Sequence, residues 1–135
     1  MTADGESRSR AVLRSLQTAI DSRDPDELLS LFADEPAMLI GTSGDGRTPA
    51  TRRDYLTAVA TQPERLFWDW REVVPFYETA DVIGFAGFGD VVMTSEEGEW
   101  RAPIRATLLV IETSNGWRIK QFHGSIRRSS SALRR

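Results

Sequence analysis

Apolar positions in the first part of the chain recur at helical spacing. Val12, Leu13, Leu16, Ala19 and Ile20 fall on one stripe, predicting an amphipathic helix that begins at Glu6 or Ser7. Residues up to about Gly5 are expected to be disordered, and Asp21-Ser22-Arg23 to end the helix. Asp24-Pro25-Asp26-Glu27 has the composition of a second start: an acidic N-cap, proline in the first turn and a glutamate three residues on. Leu28, Leu29, Leu31 and Phe32 would be its buried side. Pro36 to Ile40 reads as a short strand and Gly41 to Gly46 as a loop. A third helix, capped by Thr48 or Thr51, would run to about Gln62 with Tyr55, Leu56 and Val59 inward, stopped by Pro63.

Beyond Pro63 the period changes to that of strands. Leu66 to Tyr77 alternates, with Trp68, Trp70, Glu72 and Val74 on one face and Phe67, Asp69, Arg71 and Val73 on the other. Asp81 to Thr94 is a further strand, broken by Gly84, Gly87 and Gly89, which mark bulges, bends or close approaches. After a turn at Glu96-Glu97-Gly98, Arg101–Ile111 and Gly116–Ile126 hold the most continuous β-branched and apolar run and should form the central pair of the sheet. Helices followed by an antiparallel meander make an α+β fold with helices on one face.

Asn115-Gly116 fixes that last hairpin but allows two registers. A three-residue loop sets Thr113 against Trp117, Ile111 against Ile119, Leu109 against Gln121, Thr107 against His123 and Arg105 against Ser125. The other face then pairs Glu112 with Arg118, Leu108 with Phe122 and Ile104 with Ile126. A two-residue loop puts His123 opposite Leu108 and turns Arg105 and Thr107 to the other face. The first register keeps like beside like. It gives a face that starts greasy at Trp117 and Ile119 and ends polar at Arg105, Thr107, Gln121, His123 and Ser125, as a one-ended pocket would.

Length and composition narrow the function. The 135 residues suffice for one domain, here residues 1–126, followed by a basic tail over 127–135 that is expected to be solvated. Without cysteine there is neither a disulfide framework nor thiolate chemistry. No apolar run reaches the roughly 18–20 residues of a membrane span, and no signal-peptide pattern opens the chain. These features read as a cytoplasmic protein without membrane contact. The net charge of −3 argues against a nucleic-acid partner. One histidine and no cysteine make a metal site improbable on composition, and no cofactor motif is present: Gly41-Thr42-Ser43-Gly44-Asp45-Gly46 fits neither phosphate-binding fingerprint and reads as a plain turn.

Leu39-Ile40-Gly41-Thr42, Ile104-Arg105-Ala106-Thr107-Leu108-Leu109-Val110 and Gly116-Trp117-Arg118-Ile119-Lys120-Gln121-Phe122-His123-Gly124-Ser125, in this order of elements, resemble the SnoaL-like branch of the nuclear transport factor 2-like superfamily. The resemblance covers roughly Ser7 to Ile126. It implies a cone-shaped barrel of curved, mainly antiparallel sheet wrapped around the N-terminal helices, with an internal cavity and homodimers formed through the sheet. The superfamily holds ketosteroid isomerase, scytalone dehydratase and polyketide cyclases as well as members without a catalytic role, so the fold alone assigns no activity.

In such a cavity His123 would be the proton shuttle, since histidine titrates near neutrality. Asp90 would support it or act as base, its pKa raised by the aromatic walls, and a two-residue Glu97-Gly98 turn would set it opposite Arg105. Arg105 would hold a carboxylate or enolate oxygen, Thr107 and Gln121 would orient the ligand, Trp68 and Trp70 would line the cavity, and Tyr55 would donate from the helix. One reading is a cofactor-independent isomerase, dehydratase or cyclase acting on an apolar carbonyl or carboxylate compound. The other is a non-catalytic ligand-binding or homodimerisation module. An Asp90–Arg105 ladder salt bridge and a structural histidine are the plain alternatives for those residues.

Overall fold

A computed structural model describes residues 3–127, so the expected basic tail lies, but for Arg127, outside the described residues. Helix α1 spans Ala3–Ser22 and buries Leu13, Leu16, Ala19 and Ile20, the predicted stripe. It starts before Glu6, which corrects the expected disordered lead. Asp4 and Glu6 suit the positive end of the helix dipole, and Gly5 packs so closely on Glu78 that a Cβ there would lie 2.6 Å from its carboxylate oxygen. Arg23 ends α1 at φ 63° and turns its guanidinium to the Gln62 and Glu64 carbonyls. The Asp24 carboxylate then accepts from the Asp26 amide at 2.9 Å and opens α2 (Pro25–Ser30).

Helix α3 (Pro49–Thr61) is capped by Thr48, whose side chain is exchanged with Thr51 in a capping box. It ends where Pro63 forces Gln62 into extended geometry. Its one buried charge is Arg52, 3% exposed, which pairs with Glu35 and donates to the carbonyls of Ala37 and Gly46. These bonds tie α3 to strands β1 (Met38–Ile40) and β2 (Asp45–Gly46), the second a short strand that the sequence read as loop. Burial pushes the Arg52 pKa down from its ordinary value.

The remaining strands are β3 (Arg65–Glu78), β4 (Val82–Ser95), β5 (Gly98–Thr113) and β6 (Gly116–Ile126). They complete a six-stranded sheet in the order β2-β1-β6-β5-β4-β3, antiparallel except where β1 runs parallel to β6. The β5–β6 hairpin is central, as predicted. Helices α1, α2 and α3 cover one face, and the core of Leu13, Leu28, Phe85, Leu108 and Ile119 fills the space between. The fold is therefore the expected α+β arrangement of curved sheet around helices.

Besides an irregularity between Pro75 and Tyr77, two bulges decide which side chains face that space. One falls between Trp70 and Glu72, so Trp68, Trp70 and Val73 point inward while Glu72 and Val74 point out. Strict alternation had grouped Glu72 and Val74 with the tryptophans. Packing overrides it, because Trp70 lies over Gly87, where a Cβ would sit 2.9 Å from the indole ring. The second bulge falls between Leu109 and Val110 of the β5–β6 pairing. Thr113 therefore pairs with Gly116 around a Ser114-Asn115 turn, Val110 with Ile119 and Glu112 with Trp117, correcting the three-residue loop. Beyond the bulge the expected pairs hold: Leu109 with Gln121, Thr107 with His123, Arg105 with Ser125 and Ile104 with Ile126.

Candidate functional site

The second bulge separates what the sequence had placed on one face. Ile119 is buried on the helix side, and Trp117 turns the same way, with the Arg8 guanidinium 5.4 Å from its ring centre. Gln121, His123 and Ser125 point to the opposite, outer face of the sheet, because residues two apart share a side only until a bulge intervenes. The greasy end and the polar end of the presumed pocket lie on different sides of the sheet.

The outer cluster is nevertheless assembled. Arg105, Thr107, His123 and Ser125 surround a shallow depression of about 210 Å³ with Ala86 and Phe88. Arg105 Nε donates to Ser125 Oγ at 3.4 Å, and Arg105, Thr107 and His123 are exposed. Gln121 is half-buried on the same face, opposite Leu109. None of these five residues lines the inner cavity, although His123 and Ser125 also border a depression of about 730 Å³ that shares Gly41, Thr42, Trp100 and Ile126 with its mouth.

Asp90 is also placed differently from expectation. Ser95 pairs with Gly98 around Glu96-Glu97, which sets Asp90 opposite Pro103 and Arg105 opposite Phe88. The Asp90 carboxylate sits on the outer face between Arg71 at 3.0 Å and Arg101 at 2.8 Å, and Arg101 also approaches Asp69 at 3.9 Å. Hydrogen bonds from Arg71 and Arg101 hold its pKa below the usual carboxylate value, the reverse of the shift expected for a base in an aromatic pocket. The same contacts raise both guanidiniums above theirs.

The inner cavity, about 300 Å³, lies between the helices and the concave face of the sheet. Buried Leu16, Leu28, Phe32 and Leu39 form its closed end, while exposed Thr42, Ser43 and Trp100 mark its mouth. Val91, Ile104, Phe122 and Ile126 supply the sheet wall, and Tyr55, Val59 and Gln62 come from α3. Trp68 lines it, its ring centre 6.4 Å from that of Phe122. Trp70 stands behind Trp68 at 6.2 Å, outside the lining, with an indole Nε1 that is buried and has no hydrogen-bond partner among the described residues.

Tyr55 owes its position to the β1–β2 connection. The Gly41 amide donates to the Gly44 carbonyl at 2.7 Å, closing a four-residue turn against the phenol ring. A Cβ at Gly41 would lie 1.9 Å from the Tyr55 hydroxyl, so this approach requires glycine. The hydroxyl lies 3.4 Å from Ser43 Oγ. Sequence reasoning read the turn as featureless and missed Thr42, Ser43, Gln62 and Trp100. Gln62 was within reach, since it continues the Tyr55–Val59 stripe at the next helical interval.

Among the described residues no three His, Cys, Asp or Glu side chains gather as metal ligands, and no helix is long and apolar enough to cross a membrane.

A family model for the SnoaL-like domain matches residues 10–129. Comparison with curated protein sequences returned no match. Among solved structures, a candidate calcium/calmodulin-dependent protein kinase II association domain from Xanthomonas campestris superposes with a TM-score of 0.79 at 20% identity, covering 96% of this chain and 93% of that one. A candidate dehydratase of the nuclear transport factor 2-like family from Streptomyces avermitilis gives 0.78 at 13% identity, covering 92% and 96%. A candidate aromatic ring hydroxylase from Novosphingobium aromaticivorans gives 0.79 at 14%, covering 96% and 93%. Three such different descriptions on one backbone show that these likenesses carry the fold alone. On the span of the family match and this architecture, the chain belongs to the SnoaL-like domain family, within the nuclear transport factor 2-like fold.

Proposed function

We propose that this protein binds a small, uncharged, mostly apolar molecule in the inner cavity, without proton transfer by His123 or Asp90. The observation that carries the reading is the cavity lining, in which Tyr55 is the only ionisable side chain among the described residues. The volume falls at the lower end of the roughly 300–1,000 Å³ typical of ligand pockets. A dehydratase or isomerase working by acid–base steps needs a donor and an acceptor within hydrogen-bond reach of the substrate. Asp90 is on the other side of the sheet and His123 borders only the depression beyond Thr42 and Trp100, so neither lines the cavity and the non-catalytic reading is the better supported one.

Titration with the neutral fluorophore N-phenyl-1-naphthylamine tests it. Saturable one-to-one binding with energy transfer from tryptophan is expected, unchanged in His123→Ala and strongly reduced in the cavity-filling Val59→Trp. Loss of binding in the histidine variant with retention in the filled one would place the site on the outer face instead.

A second reading concerns that outer face. Phe67, Val74, Phe76, Tyr77 and Phe88 are exposed there, an apolar display that marks a contact surface more often than a free one. We propose that a second copy of the chain covers it. Sedimentation velocity should show a dimer that Phe76→Glu with Phe88→Glu converts to monomer; a monomeric parent protein would end the idea.

A further inference from the structure

The cavity is uniform except at one place. Along the closed end and the sheet wall every lining side chain is apolar, whereas the mouth carries Thr42, Ser43, Tyr55 and Gln62. Of these, Thr42 and Ser43 are exposed while Tyr55 and Gln62 are half-buried, and the Tyr55 ring is the one packed by the Gly41–Gly44 turn. Its hydroxyl is only weakly engaged. The 3.4 Å separation from Ser43 Oγ is long against the 2.7–2.8 Å usual for a hydroxyl pair. A rigid phenol with spare donor capacity at the edge of an apolar cavity has the form of an orienting group: the walls supply affinity and one placed donor supplies direction.

We infer that the Tyr55 hydroxyl is the polar anchor of this cavity, donating to an uncharged oxygen of a cyclic ligand, a ketone, quinone or hydroxyl, with Gly41 as the positioning residue that lets it reach there. The inference rests on the cavity reading proposed above. The lining disfavours the carboxylate class anticipated from the sequence, since Arg101, His123 and Arg127 border the adjoining depression and not the cavity itself. No Arg, Lys or His lines the cavity among the described residues, so a carboxylate would shed its hydration without gaining a countercharge. Arg105, the anchor that reading relied upon, is on the outer face.

Three naphthalenes of one skeleton separate the possibilities: 1-acetonaphthone, 1-isopropylnaphthalene and 1-naphthoate, each titrated by chemical-shift perturbation. The ketone-to-hydrocarbon affinity ratio should fall roughly three- to tenfold in Tyr55→Phe, the scale of one net hydrogen bond, while the hydrocarbon's own affinity stays unchanged. Gly41→Ala keeps the phenol but displaces it, and should lower the same ratio. The backbone at Gly41 is not at positive φ, so alanine acts there through the clash alone and provides the test if the phenylalanine variant does not fold. Naphthoate should bind most weakly. An equal ratio in wild type and variants, with the hydrocarbon still bound, overturns the anchor and leaves the cavity reading standing. Naphthoate binding as tightly as the ketone overturns the ligand class. Failure of all three probes to bind overturns both readings together.

Discussion

Ile104 and Arg105 are adjacent on β5 and belong to two different surfaces. Ile104 is buried in the wall of a cavity without charge, while Arg105 is exposed among histidine, threonine and serine on the outside of the same sheet. Each face taken separately resembles half of a binding site: one has a cavity without charged groups, the other has charged groups bordering open depressions. A carboxylate or imidazole acquires unusual reactivity when it is desolvated or set against a specific charge in a cleft. The outer face gives His123 solvent and gives Asp90 two arginines, which stabilise its charged form. Enclosure, more than the presence of titratable groups, separates a ligand site from a polar surface in this molecule.

The sharpest way to break that comparison is to truncate the two neighbours in turn. Ile104→Ala removes buried wall and should cost about 2–3 kcal/mol, the lower part of the range for such truncations because the site already borders a void. Arg105→Ala, exposed and, among the described residues, bonded only to Ser125 at 3.4 Å, should stay within about 0.5 kcal/mol. Urea midpoints read at one protein concentration measure both. Equal losses would mean that the two faces are not as different as their burial shows.

Much of this architecture could be read before any coordinates. The helix starts at Asp24 and Thr48 follow from local hydrogen bonding, which depends on a few neighbouring residues. The central hairpin and its pairs from Leu109–Gln121 to Ile104–Ile126 follow from alternation. What alternation cannot reveal is where it is interrupted. The bulges near Arg71 and Lys120 interrupt runs whose local pattern does not mark them, and each reverses the faces on one side of it. The candidate site was lost for a related reason. A strand with apolar residues on one side and Arg105, Thr107 and His123 on the other carries the ordinary signature of a sheet with one solvated face. The polar side attracts the pocket assignment because it holds the titratable groups. The true cavity is marked by weaker signs, the Tyr55-Val59-Gln62 interval and a glycine pair flanking a turn, whose meaning depends on contact between segments distant in sequence.

A gentler test sharpens the outer half of the comparison. Asp90→Asn keeps the shape of the side chain and removes the charge that Arg71 and Arg101 share. Because the folded-state pKa of Asp90 lies below its unfolded value of about 3.9, its charge stabilises the fold above that value, and the contribution disappears as pH falls through the folded value. The variant should therefore be less stable than wild type at pH 7, and the two should converge once the carboxylate is protonated in both states. The carboxylate is 17% exposed and its partners are half-exposed or more, so added salt should also narrow the gap at pH 7. Urea midpoints at neutral and strongly acid pH, with and without salt, measure this directly. A gap that persists unchanged in acid would assign the loss to packing of the amide and not to the ion pairs. Binding of N-phenyl-1-naphthylamine should be the same in both proteins, since a charge on the outer face has no contact with the cavity; a change in affinity would couple the two faces and undo the separation on which the non-catalytic reading stands.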